Sequence, residues 1–157
     1  SMEENIDNSY AQIDVQLKRR YDLIPNLVET VKGYAKHETE TLGKVVELRN
    51  AAESARNINE EMKINVEINQ ALSRLIALAE AYPNLKADTS FLRLQDALND
   101  TEDKISIARQ VYNDCVTKLN KAIKMFPGNI VAGMFGFDEK QYLETSESER
   151  ENVRVKF

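Results

Sequence analysis

The sequence predicts an all-α fold, specifically an up-and-down four-helix bundle of long antiparallel helices. Three observations support this prediction. Glycine and proline are scarce, at five and three among 157 residues, whereas strand-rich folds need both at their turns. Apolar residues recur every three or four positions through most of the chain, as they do in helices with one buried face. The third observation is a single apolar seam that runs without a skip from Phe91 to Phe126.

The seam predicts the last helix, at residues 88–126. Positions spaced alternately three and four residues apart are apolar or cysteine, with one exception. This 3.5-residue repeat keeps one face of the helix against a partner helix. Asp88 or Thr89 can cap the start, and Pro127-Gly128 ends the helix. The seam consists of Phe91, Leu94, Leu98, Thr101, Ile105, Ala108, Tyr112, Cys115, Leu119, Ala122 and Phe126.

A second helix is predicted at about residues 59–82. Asn57 followed by Glu60 resembles a capping box at its start, and Pro83 ends it. Between these signals the apolar stripe consists of Ile64, Ile68, Ala71, Leu72, Leu75, Ala79 and Tyr82.

The N-terminal third is also helical in pattern, but Pro25 interrupts it. Proline inside a helix removes one backbone hydrogen bond, here to the carbonyl of Tyr21, whereas in the first turn of a new helix it costs little. An unbroken helix would be roughly 75 Å long and would leave apolar side chains in water. We therefore expect a break or sharp kink near Asp22 and Pro25, with helices at about 3–21 and 23–55. The continuous periodicity across Pro25 argues against the break.

Composition limits the classes of function. A formal net charge of −5 disfavours nucleic acid as a partner, because phosphate binding needs clustered cations. The densest basic cluster, Lys18-Arg19-Arg20, is flanked by Asp14 and Asp22 and is interpreted as a solvated helix face. The lone Cys115 excludes an internal disulfide and thiolate metal sets, and its seam position predicts a buried, inert thiol.

We find no catalytic, cofactor-binding or metal-ligating constellation, and we expect no cofactor. The Glu-x-x-His pairs of di-iron bundles are missing, because the residue three before His37, the one histidine, is Tyr34. Serine-nucleophile and phosphate-loop motifs are missing too. Two alternatives stay open: a metal enzyme that uses His37 with Glu38 and Glu40, and a sensor with a small molecule inside the bundle.

Three polar residues, Arg20, Asp22 and Asn26, lie together at the expected break. The structural interpretation is that they cap and cross-link the reversed chain, because a buried charge must be paired and Arg20 can pair with Asp22 or Asp14. The functional interpretation is a polar notch at the end of the bundle that receives a partner.

The chain changes character after Pro127. We expect one helical-bundle domain at residues 1–137, followed by a polar, partly mobile tail at 138–157. An apolar, glycine-spaced segment closes the domain and is a candidate membrane or partner contact; its apolar members are Ile130, Val131, Met134, Phe135 and Phe137. At the other end, a serine ahead of Met2 looks like a cloning remnant, so the lack of a visible targeting segment is weak evidence about the native protein.

Several segments together resemble the signature of the bacterial LemA family, over nearly the whole chain. The most specific segments are Asp14-Val15-Gln16-Leu17-Lys18-Arg19-Arg20-Tyr21-Asp22-Leu23-Ile24-Pro25-Asn26-Leu27-Val28 and Val31-Lys32-Gly33-Tyr34-Ala35-Lys36-His37-Glu38. Later matches are Ala81-Tyr82-Pro83-Asn84-Leu85-Lys86-Ala87, Tyr112-Asn113, Phe126-Pro127, Ile130-Val131-Ala132 and Gly136-Phe137.

The resemblance implies a single N-terminal membrane-spanning helix, which we expect upstream of the printed residues, and a soluble, bromodomain-like four-helix bundle. It brings no catalytic residues. We expect the soluble domain on the cytoplasmic side, although the resemblance leaves the side of the membrane open. The function that follows is a non-catalytic, membrane-tethered binding or scaffolding domain whose protein partner is unknown. Because the first and last helices of an up-and-down bundle meet at one pole, such an anchor would hold the apolar segment near lipid or a partner helix.

Overall fold

A computed structural model describes residues 1–125, and every regular element within them is an α-helix. The all-α prediction is confirmed for this range, while the four-helix arrangement stays a prediction. In chain order the helices are α1 (Met2–Lys32), α2 (Thr39–Glu53), α3 (Ile58–Ala79), α4 (Pro83–Lys86) and α5 (Thr89–Lys124).

The first helix passes through Pro25 without a break, so the predicted boundary near Asp22 is wrong. Proline leaves the carbonyl of Tyr21, four residues earlier, without its helical N–H donor. Arg49 of α2 supplies a replacement, since its Nε donates to the Tyr21 carbonyl oxygen at 2.9 Å. A side chain from another helix therefore removes the main reason for the helix to end at this proline.

The chain instead leaves α1 after Lys32, in a turn at residues 33–38. Ala35 folds inward there and is only 2% exposed, with its N–H donating to the carbonyl of Val31 at 2.8 Å. Gly33 lies in this turn without a left-handed backbone, and a Cβ added to it would stand 3.4 Å from the nearest oxygen. Burial of Ala35, rather than a glycine conformation, accompanies the change of direction.

The predicted start signals are confirmed. The Asn57 side chain accepts the N–H of Glu60 at 2.8 Å, and Asp88 accepts the N–H of Phe91 at 3.0 Å at the start of α5. The carboxylate of Glu60 accepts the N–H of Arg56 rather than that of Asn57, so the capping box is shifted by one residue. Pro83 does more than end a helix, because it is the first residue of the one-turn α4.

The predicted seam of α5 is buried over most of its length, with one correction near the C-terminal end. Val116 is fully buried there, whereas Cys115 is only partly covered and is not the buried thiol that we expected. An α-helix of 3.6 residues per turn drifts by about 20° per heptad from a 3.5-residue repeat. Several heptads of drift bring the next residue, Val116, onto the buried face.

The described residues divide into two compact units. The central unit contains Leu17–Glu102, and the terminal unit contains Ser1–Gln16 with the part of α5 from Asp103 onward. Fully buried side chains of the central unit include Leu17, Arg20, Ile24, Leu27, Val31, Val45, Ile68, Leu72, Leu75, Leu85 and Thr101. Buried apolar side chains of the terminal unit are Ile6, Ile13, Ile105, Ala108, Tyr112, Val116 and Leu119.

Candidate functional site

A charged residue, Arg20, lies at the centre of the most unusual cluster in the central unit. Its side chain is 0% exposed, and it forms an ion pair with the carboxylate of Glu102 of α5 at 2.7 Å. The other terminal nitrogen donates to Oδ1 of Asn65 of α3 at 3.0 Å. A buried guanidinium is tolerated only when it is paired in this way.

The cluster continues through Tyr21. Asn65 donates from Nδ2 to the Tyr21 hydroxyl at 2.9 Å, and that hydroxyl donates to the Glu61 carboxylate at 2.6 Å. Burial, followed by the hydrogen bond to Glu61, raises the pKa of the Tyr21 phenol well above its usual 10.0. The phenol therefore stays neutral at physiological pH and acts as a hydrogen-bond donor. We call the five residues Arg20, Tyr21, Glu61, Asn65 and Glu102 the polar network.

The polar network is suited to fixing helices in register rather than to chemistry. Its bonds join α1, α3 and α5, and charged and polar groups in an apolar surrounding permit few alternative pairings. Its members donate to and accept from one another, and neither groove described below is lined by any of them. A buried ion pair of this kind specifies one arrangement of helices more than it adds stability.

The network differs from the polar cluster that the sequence suggested. Of the three predicted residues only Arg20 belongs to it, while Asp22 and Asn26 are exposed. The other four members, Tyr21, Glu61, Asn65 and Glu102, were not predicted as site residues. One signal was present for Asn65, which stands three residues before Ile68 and seven before Leu72 and so shares the buried face of α3.

At the loop end of the central unit, two tyrosines hold the turn at residues 33–38. Tyr34 donates to Asp88 at 2.5 Å, and Tyr82 donates to Glu38 at 3.0 Å. The carboxylate partner raises the pKa of each phenol above its usual 10.0. The Tyr34 hydrogen bond, followed by the N–H of Phe91, lowers the pKa of Asp88 below 3.8.

The residues of the proposed metal enzyme are placed unfavourably for that role. His37 and Glu40 are exposed, and Glu38 is engaged by Tyr82. Over residues 1–125, the structure holds no group of three His, Cys, Asp or Glu side chains arranged to bind a metal ion. A metal-binding hypothesis has no geometric support in this range.

An apolar groove runs along the surface of the terminal unit. It has a volume of about 410 Å³, and we call it the α1/α5 groove. Its apolar wall contains Ile107 and Val111, which are 63% and 45% exposed, and Ala108 lies between them. All its lining residues are Asn8, Ser9, Gln12 and Gln16 of α1 and Lys104, Ile107, Ala108 and Val111 of α5.

A second groove, of about 580 Å³, lies in the central unit between α2 and α3. Its lining is mixed in charge, since Lys44 and Arg74 face it together with Glu40 and Glu47. Opposite charges in one open groove offer no clear preference for an anion or a cation, so this groove indicates no ligand class.

Two further predictions concern membranes. None of the helices in residues 1–125 combines the length and the apolar character needed to cross a bilayer. The candidate contact residues Ile130, Val131, Met134, Phe135 and Phe137 lie outside the described residues, as does the expected domain boundary at 137.

Comparison with known proteins decides the family. The family model described as "LemA family" matches residues 9–157, which is almost the whole chain. The chain belongs to the LemA family. The resemblance found in the sequence is therefore confirmed.

Curated relatives agree with LemA membership. Protein LemA of Metamycoplasma hominis is 27% identical over 155 residues, which cover 96% of this chain and 69% of that protein. Magnetosome protein MamQ 1 of Paramagnetospirillum magneticum is 31% identical over 74 residues, and MamQ of Magnetospirillum gryphiswaldense is 32% identical over 72. These segments cover 47% and 46% of the chain but only 27% and 26% of the two magnetosome proteins.

Proposed function

We propose that this LemA chain is a non-catalytic binding domain, held at a membrane by a segment outside residues 1–157, that presents a helical surface to a protein partner. The observation that carries the proposal is the α1/α5 groove. Ile107 and Val111 stand side by side on α5 and expose most or nearly half of their surface. Exposed apolar surface next to a concave wall is typical of a site that receives another helix.

The groove is suited to binding and unsuited to catalysis. Its α1 wall consists of Asn8, Gln12 and Gln16 with Ser9, whose hydroxyl donates to the carbonyl of Asn5, and Lys104 is the one charged residue in its lining. Amides and apolar side chains can orient and bury a partner, and the lining holds no general base beside Ser9 to activate its hydroxyl.

The tether is supported by the lengths of the relatives and by the geometry of the terminal unit. The aligned part covers 69% of Protein LemA, so that relative has room for a further segment. Tyr112 of α5 lies close to Tyr10 and Asp7 of α1, so the start of α1 lies beside the second half of α5 in this unit. An anchor before Ser1 would therefore place the end of α5, and the apolar segment after it, near the bilayer.

Site-specific photo-crosslinking in cells tests the proposal. A photoreactive amino acid replaces Val111 in full-length anchored protein, and in a matched control it replaces Val46, an exposed apolar residue of α2. We expect Val111 to yield a discrete crosslinked protein that disappears when Ile107 is changed to Glu. The proposal fails if both positions give the same products, or if the protein with its native N-terminus does not sediment with membranes.

The apolar segment has its own test. With Met134→Glu and Phe135→Glu in the anchored protein, we expect a lower yield of the crosslinked partner or weaker binding to vesicles of neutral phospholipid. Equal retention would remove the segment from the binding surface.

A further inference from the structure

The exposed face of α5 in the terminal unit is complementary to itself. Resting on the proposed function, we infer that the partner at this surface is a second copy of the same chain, packed antiparallel about a two-fold axis. We call the contact surface the α5 strip, and it consists of Ile107, Val111, Asp114, Lys118, Lys121 and Met125.

The members of the α5 strip share one exposed face. At about 100° per residue, all six stay within about 40° of one line along the helix. Met125 keeps that path although it follows the last helical residue, because its N–H still donates to the carbonyl of Lys121 at 3.0 Å. Ile107, Val111 and Met125 are 63%, 45% and 65% exposed, so apolar side chains stand at both ends of the strip.

The charges at the centre of the strip fit a two-fold axis. Asp114 and Lys118, both exposed, stand two residues before and two residues after Val116. With the axis level with Val116, Asp114 of each copy lies opposite the partner's Lys118, which gives two ion pairs. Parallel strips in register would instead set each of these charges against the same charge of the other copy. Like charges so placed repel, so the antiparallel direction is favoured.

The same register matches the apolar residues. Ile107 stands nine residues before Val116 and Met125 nine after it, so each Ile107 faces the partner's Met125. The flexible methionine side chain fits irregular apolar surface, and Ile107 belongs to the apolar wall of the α1/α5 groove. Val111 faces the partner's Lys121, whose aliphatic stem can cover it while the ammonium stays in water. One register therefore pairs every member of the strip.

A tether at the N-terminus is compatible with this contact and favours it. With the two-fold axis along the membrane normal, the two N-termini lie at the same height above one bilayer. Confinement to one surface raises the effective concentration of the second copy, which strengthens a contact limited to one strip of each helix.

Charge exchange in residues 1–157 tests the inference. Asp114→Lys places two positive charges at the centre of the strip, and Lys118→Asp places two negative charges there. In sedimentation equilibrium up to about 1 mM protein, we expect each variant to dimerise roughly tenfold more weakly than wild type, and their equimolar mixture to recover a heterodimer. Lys44→Asp and Glu47→Lys change exposed charges of α2 and should leave dimerisation unchanged. A monomeric wild type, or a mixture no stronger than its components, would overturn the inference.

Disulfide formation tests the register separately. In a Cys115→Ser background, Ile107→Cys protein mixed with Met125→Cys protein should form the mixed disulfide roughly tenfold faster than either protein forms its own. Two copies of one position would lie about 27 Å apart along the helix axis, whereas the unlike positions face each other. In the control mixture, Val15→Cys, which is 55% exposed on α1, takes the place of Ile107→Cys. Equal rates in the two mixtures would also overturn the inference.

The proposed function and this inference fail in different ways. A cellular photo-crosslink at Val111 with twice the mass of the chain supports both. A crosslink to a different protein, with no mixed disulfide in solution, leaves the proposed function in place and overturns the second copy as its partner.

Discussion

The two parts of α5 that belong to different units differ in how they place charged and apolar side chains. In the central unit Glu102 lies buried against Arg20, with which it forms an ion pair. In the terminal unit, five residues further along the same helix, Ile107 is 63% exposed beside an open groove. A buried charge loses its hydration on folding, and an exposed apolar side chain gains no burial, so each calls for a separate explanation.

The difference indicates separate roles. The polar network demands particular partners and so restricts the central unit to one arrangement of helices. The α1/α5 groove demands only an apolar surface of the right shape, which a partner or another segment can provide. The polar network therefore lies in residues 17–102, whereas the proposed binding surface lies in the terminal unit.

The largest expected effect comes from breaking the buried ion pair. Glu102→Ala leaves the Arg20 guanidinium buried without its carboxylate and should lower the free energy of unfolding by about 3–5 kcal/mol. The adjacent pair, Arg19 with Asp100, joins the same two helices at 2.6 Å but is 39% and 42% exposed. Asp100→Ala should therefore cost about 0–1 kcal/mol. Urea denaturation measures both values.

A double replacement separates pairing from packing. Arg20→Met with Glu102→Leu should recover most of the loss, since apolar side chains of similar volume can replace a buried pair. If Glu102→Ala and Asp100→Ala cost the same, the contrast between a buried and an exposed pair is wrong.

The next effect concerns Pro25. Arg49→Met removes the donor that satisfies the Tyr21 carbonyl, and an unsatisfied buried carbonyl should cost about 1–3 kcal/mol. Pro25→Ala restores the backbone N–H, so in that background Arg49→Met should cost clearly less. Denaturation of the four proteins of this double-mutant cycle gives the coupling energy. A coupling energy near zero would show that Arg49 does not compensate for the proline.

Substitution of one tyrosine in each unit compares the contribution of a buried and an exposed hydroxyl to stability. Tyr21→Phe removes the hydroxyl that joins Asn65 to Glu61 and should cost about 1–2 kcal/mol, whereas Tyr10→Phe, on an exposed ring of the terminal unit, should change stability by less than about 0.5 kcal/mol. Thermal unfolding at neutral pH measures the pair. Equal losses would contradict the assignment of polar specificity to the central unit.

The raised pKa of Tyr21 adds a pH dependence to that comparison. A phenol whose pKa is higher in the folded state contributes stability below pH 10.0 that is lost as the pH rises above it. Wild type should therefore lose stability above pH 10 more steeply than Tyr21→Phe does. Parallel curves would count against a protonated, buried phenol.

The smallest effect is expected at Asp88. Its pKa is below 3.8 in the folded chain, so the carboxylate contributes stability above that pH and the contribution is lost as the pH falls further. Asp88→Asn should reduce the loss of thermal stability between pH 5 and pH 3, with exposed Asp96→Asn as the charge-matched control. The same acid dependence in all three proteins would remove Asp88 from the acid response.

Much of the helical structure follows from local pattern. The caps at Asn57 and Asp88 are recognisable because a capping side chain bonds an N–H only three residues ahead. The seam of α5 is recognisable because side chains three or four apart share one helix face. The shift of the buried face to Val116 was not predicted, because the prediction kept a strict 3.5-residue repeat to the end of the helix. An α-helix has 3.6 residues per turn and drifts away from that repeat over several heptads.

The candidate surfaces were harder to predict. Exposed Ile107 and Val111 look like any apolar residues in sequence, and only the path of α1 beside α5 makes them one wall of a groove. Arg20 was predicted as part of a polar cluster because charged and polar residues lie near it in the sequence. Its partner Glu102 lies 82 residues away in the chain, so no local sequence pattern identifies it.

The sequence by itself determined that the described chain is helical, where most helices start and which faces are apolar, because these properties depend on neighbours within a few positions. It also determined the family, through a match that extends over residues 9–157. Only the tertiary structure decided that α1 continues through Pro25. That outcome depends on a hydrogen-bond donor, Arg49, that lies 28 residues from the carbonyl it satisfies and reaches it only once the helices have packed.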